Sequence, residues 1–180
     1  MSLRIHGGEA RGRRLRTPAG VRPTQGLIKE AMFNMLGDQV VDAVVLDLFA
    51  GSGALGIEAL SRGARAVTFV ERSQACVSIL RQNLDALGYA DRTRIVRGEV
   101  AGWLRNHPDD VAAASLILLD PPYGGTLLAT ALVEIERSAR RGALVMAEHA
   151  QDAQLPSLHR LHELRQRRHG DSGVTMLRAA

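Results

Sequence analysis

Cysteine is almost missing from this chain. Cys76 is the only one in 180 residues, so no disulfide can form within the chain and no cysteine pair can hold a metal. It falls in a predicted helix after Glu71, where a small core thiol is expected rather than a nucleophile, and a reducing cytoplasm is the natural setting. No apolar run approaches the length of a membrane span, and the amino terminus is polar and basic, without the apolar centre of a signal peptide. The six histidines are scattered, with no i, i+4 pair beside a glutamate, so no metal is expected. His6 and His149 read as surface or supporting residues. Ser52 lies in a glycine turn but lacks the Gly-x-Ser-x-Gly elbow of a serine hydrolase. There is no internal repeat, low-complexity tract or second domain. The length, with 46% apolar residues, fits one domain with a proper core.

What is present is unevenly placed. Seven basic side chains (Arg4, Arg11, Arg13, Arg14, Arg16, Arg22 and Lys29) stand against Glu9 and Glu30 in the first thirty residues. The formal net charge is +4, so the basic excess lies entirely in this stretch and the remainder is slightly acidic. An arginine-rich arm broken by Gly7, Gly8, Gly12 and Gly20 is flexible enough to follow a phosphate backbone, and arginine also stacks on splayed bases. A solvated charged hairpin is the plainer account. Arg160, Arg165, Arg167 and Arg168, with His159, His162 and His169, form a second basic group that alternation on an edge strand explains equally well.

Two motifs carry chemistry. Asp47-Leu48-Phe49-Ala50-Gly51-Ser52-Gly53-Ala54-Leu55-Gly56 follows the apolar strand Val44-Val45-Leu46 and leads into a helical pattern. Strand, glycine turn and helix form the first unit of a doubly wound sheet, which binds ligands at the carboxyl ends of its strands. The next strand ends in Glu71, where a carboxylate can take both hydroxyls of a ribose. The glycines also match G-x-G-x-x-G, so a dinucleotide is one reading. Asp47 favours a different ligand, because a carboxylate at the strand tip meets a cationic amino-acid group better than a pyrophosphate. S-adenosylmethionine has such a group as well as a ribose.

The second motif, Asp120-Pro121-Pro122-Tyr123, follows the apolar run 115–119. Two prolines remove two backbone donors and stiffen the loop. The Asp120 carboxylate and the Pro121 carbonyl are two acceptors, and Tyr123 is a flat ring. The set suits a planar substrate bearing an NH2 group, such as a nucleobase. A proline-rich turn with Asp120 as a helix cap is the alternative for the loop taken alone. The loop has no role in hydride transfer, which further disfavours a dinucleotide.

Arg4-Ile5-His6-Gly7-Gly8 with Arg11-Gly12-Arg13, then Arg22-Pro23-Thr24 with Lys29-Glu30-Ala31-Met32-Phe33-Asn34, then 47–64, Phe69-Val70-Glu71 and the Asp-Pro-Pro-Tyr loop, together resemble the RsmD family of 16S ribosomal RNA guanine-N2 methyltransferases. The resemblance runs over nearly the whole chain and is least distinctive in the last third. It implies a Rossmann-like α/β class I S-adenosylmethionine-dependent methyltransferase with a seven-stranded, mostly parallel sheet. Residues 1–37 would be a basic RNA-binding extension and 38–180 the methyltransferase domain. It implies cofactor contacts from Asp47, Phe49, Ala50, Gly51, Ser52, Gly53, Glu71, Arg72, Glu99 and Val100. RNA contacts are implied for Arg4, Arg11, Arg13, Arg14, Arg16, Arg22 and Thr24. The substrate would be 16S rRNA in the small ribosomal subunit, at guanine 966 in the usual rRNA numbering, and the enzyme is read as a cytoplasmic monomer. Two departures stand out. Gly26 and Leu27 replace an acid and an arginine, and Gly98-Glu99-Val100 replaces Gly-Asp-Ala, so Glu99 keeps the adenine acceptor on a longer stem.

In the implied reaction the base enters the cleft, Tyr123 stacks on it, and Asp120 and Pro121 accept its two N2–H bonds. An adenine-N6 methyltransferase would use the same loop. A binding protein with a dead methyltransferase fold is disfavoured by the intact Asp47, Glu71 and Asp120 set. The pattern predicts a hairpin over 2–17 and a helix from a Thr24 cap to about Leu36. Strands are expected near 43–48, 66–70, 93–97, 115–120, 143–148, 158–167 and 173–178, with helices between the early ones and a turn at 170–173. Strand–helix alternation implies a parallel sheet with right-handed crossovers.

Overall fold

A computed structural model describes residues 3–18 and 25–180. Arg22 and the expected Thr24 cap lie outside the described residues. Helix α1 (Gln25–Leu36) is followed by β1 (Val44–Leu48), α2 (Ala54–Ser61), β2 (Ala66–Glu71), α3 (Gln74–Leu87), β3 (Thr93–Arg97), α4 (Val100–Asn106), α5 (Pro108–Ala113), β4 (Leu116–Leu119), α6 (Leu127–Ser138), β5 (Leu144–Ala150), β6 (Leu161–His169) and β7 (Ser172–Ala179). The seven strands form one sheet in the order β3-β2-β1-β4-β5-β7-β6. The first five are parallel, and β7 runs antiparallel to both β5 and β6.

Side chains alternate across a strand, and the alternation divides the core in two. Val45, Phe69, Leu118 and Met146 pack on one face with the arm, α1, α2 and α3. Leu46, Val70, Leu119 and Val145 pack on the other with α4, α5 and α6. Asp47, Glu71, Asp120 and Glu148 share parity with the first group. Four neighbouring strands, β2, β1, β4 and β5, therefore present an acid at or near their carboxyl ends on the same face. The strand order reverses direction between β1 and β4, the place where such sheets open a crevice for ligands.

The expected elements are found with shifted ends. The last hairpin is shifted toward its turn, with β6 starting later than expected at Leu161 and reaching His169, and β7 starting at Ser172, so the turn narrows to Gly170-Asp171. From His162 to His169 every β6 residue is exposed, rather than alternating, because β6 is the outer strand of the sheet. In α1 the buried stripe is Ile28, Met32, Phe33, Met35 and Leu36, whereas Leu27 is 71% exposed.

Residues 3–15 double back as a small hairpin. Ile5 N–H donates to the Arg13 carbonyl at 3.0 Å, and Leu15 N–H to the Leu3 carbonyl at 2.9 Å. Its only ladder-like pairing is Arg4 with Arg14. Ile5, Ala10 and Leu15 are buried in the shared core. Glu58 of α2 is the anchor. Its carboxylate accepts from the N–H groups of His6 and Gly7, from Arg62 Nε, and from Lys29 Nζ at 2.9 Å. Lys29, the only lysine in the chain, also donates to the Arg4 carbonyl at 2.7 Å. Burial pushes the Glu58 carboxyl up, but Lys29, the His6 N–H and Arg62 together hold it below its ordinary value.

Candidate active site

The glycine turn after β1 is held by its own backbone and by two acids. Phe49 has φ +64°, a left-handed conformation rare for a residue with a side chain. This turns the chain off the strand so that Ala50 N–H reaches the Val70 carbonyl at 3.1 Å. Gly53 disfavours a side chain, since its φ of +85° is strained for one and a Cβ would lie 2.3 Å from Leu80 Cδ1, which would have to shift. Gly51 has φ +56° and nothing within 4 Å of where its Cβ would be, leaving open room beside the backbone. Ser52 is buried, and its carbonyl accepts from Asn83 Nδ2 at 3.0 Å.

Glu71 Oε2 accepts from the Gly51 N–H at 2.8 Å and Oε1 from the Ser73 N–H at 2.7 Å. A carboxylate offers about four acceptor positions, so both oxygens keep capacity for hydroxyl donors. Asp47 is 1% exposed, and its Oδ2 accepts from the Gly56 N–H at 2.8 Å. Burial raises its carboxyl to about 8, against the pull of the Gly56 bond and with a smaller push from Glu71. A cation placed beside it would restore the ionised form. Arg72 is exposed just past β2. Val100 is buried in the second core. Glu99 is exposed and caps α4, accepting from Ala101 N–H at 3.1 Å and Gly102 N–H at 2.7 Å. Each oxygen takes one of these bonds, so like Glu71 it keeps acceptor capacity beyond the helix.

The Asp-Pro-Pro-Tyr loop leaves β4 one strand away. Asp120 is half-buried, Pro121 buried and Pro122 exposed. Tyr123 is 46% exposed, yet its hydroxyl donates to Glu148 Oε1 at 2.6 Å and is hydrogen-bonded to Ser172 Oγ. Burial, reinforced by Glu148 and then Asp47, holds the Asp120 carboxyl well above its ordinary value. The expected acceptor and ring are therefore at one strand end, next to the glycine turn. Glu148 and Ser172 were not expected. The signal for Glu148 was available, an acid closing an apolar strand as Glu71 and Asp120 do. Ser172 carries no motif. His149 is buried, not at the surface, with Nδ1 near the Ala150 carbonyl and Nε2 near Thr175 Oγ1.

The arm's Arg4, Arg11, Arg13, Arg14 and Arg16 are all exposed. Gly26, one of the two departures, faces His6. Among the described residues no group of three or more His, Cys, Asp or Glu side chains is arranged to hold a metal ion. Nor is any helix among them long and apolar enough to cross a membrane.

The sheet order, the glycine turn and the acids at the strand ends define a Rossmann-like class I methyltransferase fold. The model of the family described as "Conserved hypothetical protein 95" matches residues 3–178, and the chain belongs to this, the RsmD family. It is 35% identical over 158 residues to the "Putative rRNA methyltransferase YlbH" of Bacillus subtilis, covering 86% of each chain. It is 41% identical over 128 residues to the ribosomal RNA small subunit methyltransferase D of Escherichia coli, covering 70% of this chain and 63% of that one. The solved "Putative methyltransferase yhhF" of Escherichia coli superposes with a TM-score of 0.85 at 33% identity, over 99% of this chain and 98% of the other.

Proposed function

We propose that this protein methylates the exocyclic N2 amine of one guanine in 16S ribosomal RNA, within small-subunit particles in the cytoplasm. The observation that carries this reading is Asp120, at the head of its Pro-Pro-Tyr loop, beside the glycine turn and the acids of β1 and β2. Family membership and the small-subunit rRNA methyltransferase among its relatives support the substrate class.

S-adenosylmethionine is the cofactor, and when bound it supplies an electrophilic methyl group. The residues present suit it. Glu71 accepts from its ribose, Asp47 balances its positive amino-acid end, and the open side of Gly51 admits it to the backbone. Glu99 and Val100 border its adenine, and Arg72, Phe49, Ala50, Ser52 and Gly53 complete the cradle.

The loop acts on the base. Ionised Asp120 and the Pro121 carbonyl accept the two N2–H bonds, which draws the nitrogen toward tetrahedral geometry and exposes its lone pair. Pro122 stiffens the turn and the Tyr123 ring stacks on the purine. The methylated amine is a strong acid, and its proton passes to Asp120 or water. Most of the acceleration is positioning and electrostatics. Residues 1–37 form the RNA-binding extension on the 38–180 catalytic domain. Within it Arg4, Arg11, Arg13, Arg14, Arg16, Arg22 and Thr24 meet the RNA, bringing the splayed base to the cleft.

The deciding experiment is methyl transfer from labelled S-adenosylmethionine into unmodified small subunits, with nucleoside analysis. N2-methylguanosine at one site supports the reading. N6-methyladenosine assigns the loop to adenine instead, and no product on any RNA overturns it.

A further inference from the structure

Glu148 is the acid that neither the cofactor cradle nor the loop's own sequence accounts for. It is 6% exposed, at the end of β5. The β4–β5 register pairs Leu119 with Ala147, so the next residues, Asp120 just past β4 and Glu148 within β5, follow side by side with the same parity. The hydroxyl of Tyr123 donates to Glu148 Oε1 at 2.6 Å. Ser172, the first residue of β7, holds the same hydroxyl. Two strands, β5 and β7, and the loop therefore converge on one phenol oxygen.

We propose that Glu148 is the positioning residue of this site, tying the Tyr123 ring to the strand ends together with Ser172 and standing beside Asp120 so that the two carboxylates act as a pair. The inference rests on reading the loop as the base-binding element.

A glutamine at 148 would satisfy the Tyr123 hydroxyl equally well and avoid a second buried carboxylate next to the first. Burying such a charge is costly, and strongly perturbed acids in a cleft are markers of function. The charged and titratable neighbours are few. Asp120 is faced by Glu148 from β5 and Asp47 from β1, with Tyr123 in its own loop, while Glu148 also has His149 beside it on β5. Burial lifts both carboxyls. Glu148 is partly relieved by the Tyr123 hydrogen bond, and its charge adds to the burial of Asp120. The consequence is chemical. When the N2–CH3 bond forms, the sulfonium S–CH3 bond breaks with its electron pair left on a neutral thioether, and the guanine amine then carries one proton too many. An Asp120 carboxylate with raised proton affinity takes it, leaving neutral N2-methylguanine. The consequence for binding is a ring fixed before the base arrives, although it sits on a loop that two glycines, Gly124 and Gly125, follow.

The test measures methyl transfer into unmodified small subunits across pH 5–9 for wild type, Glu148→Gln, Glu148→Ala and Ser172→Ala, with cofactor binding and melting curves as folding checks. Removing the charge of Glu148 eases ionisation of Asp120. Glu148→Gln is therefore expected to move the acid limb of kcat downward by about one pH unit with KM for the particle nearly unchanged. Glu148→Ala should shift the limb likewise and raise KM about tenfold, a loss equal to one good hydrogen bond. Ser172→Ala should raise KM with the limb unmoved. An unmoved limb in Glu148→Gln overturns the pairing, and that isosteric variant decides the matter even if Glu148→Ala fails to fold. An unchanged KM in both alanine variants overturns the tether. If the wild type methylates no RNA, the base-binding reading falls and this inference with it; wild-type activity with unaltered variants sinks this inference alone.

Discussion

The Asn83 side chain of α3 donates to the Ser52 carbonyl in the glycine turn at 3.0 Å. The same amide donates to the Arg16 carbonyl at 3.0 Å and accepts from the Arg16 N–H at 2.9 Å. One buried side chain thus joins the basic arm to the cofactor turn. Asn83→Ala leaves these backbone groups without partners, at a cost of about 1–3 kcal/mol. A melting temperature lower by about 2–12 °C is expected for a domain of this size. Titration with S-adenosylmethionine should show affinity weakened by about tenfold, the effect of removing one hydrogen bond. Unchanged affinity would mean that the turn holds its shape without the arm.

Asp47 sets a pH dependence. Its carboxyl is raised from 3.8 to about 8 in the folded protein, chiefly by burial. The folded state therefore binds the proton more tightly than the unfolded one. That advantage is complete below pH 4 and is lost as pH rises toward 8, at no more than about 1.4 kcal/mol per pH unit. Melting curves of the cofactor-free protein should flatten across this window in Asp47→Asn relative to wild type. The same variant should bind S-adenosylmethionine poorly, because its cation loses its partner. Parallel wild-type and variant slopes would place the titration elsewhere.

Asp120→Ala should separate chemistry from cofactor binding. Loss of an electrostatic and positioning group of this kind costs about 100-fold or more in kcat. The cradle of Glu71 and Gly51 is untouched, so S-adenosylmethionine affinity should stay within about twofold. A near-normal rate in this variant would rule out the loop as the reacting site.

Glu58 and Lys29 are both almost fully buried, at 1% and 2% exposure. Removing one partner strands the other, which typically costs about 3–5 kcal/mol. Glu58→Ala should also free the His6 and Gly7 N–H groups and partly detach the arm from α2, where Ser61 still accepts from the Glu9 and Ala10 N–H groups. Since Lys29 is the only lysine, an amine-acylating reagent followed by mass spectrometry reads that detachment directly. Labelling should be slow in the wild type and fast in the variant. Equal rates would show that the arm opens freely already.

In the arm, Arg4 donates to the Gly12 carbonyl, Arg13 to the Ala86 carbonyl and Arg16 to Gln82 Oε1. Arg11 and Arg14 make no side-chain hydrogen bond among the described residues. The double change Arg11→Ala, Arg14→Ala should weaken binding to small subunits and reduce the salt slope by about 0.7–0.9 for each phosphate no longer neutralised. Cofactor affinity should not move. An unaltered slope would put the RNA on another surface, with β6 and its Arg165, Arg167 and Arg168 the next to test.

Much of this molecule was legible in its residue order. Apolar runs leading to Asp47, Glu71 and Asp120 gave strands with acids at or near their carboxyl ends, because a buried parallel strand needs continuous apolar character and an acid is placed only where that run stops. The glycines after Asp47 marked a turn with left-handed backbone at Gly51 and Gly53, which disfavours residues with side chains. The basic arm was visible as charge. Strand ends, the full exposure of β6 and the outward turn of Leu27 were not, since each depends on which neighbour covers a residue.

Local order along the chain therefore determined the class of fold, the glycine turn and the Asp-Pro-Pro-Tyr loop, because these are made by residues close in sequence with strong steric and hydrogen-bonding preferences. Only the tertiary structure decided the rest. Asn83 meets Ser52, Lys29 meets Glu58, and Ser172 reaches Tyr123 across 49 residues. Such meetings depend on strand order and register, which bring distant segments together to satisfy buried polar groups and leave no local pattern behind.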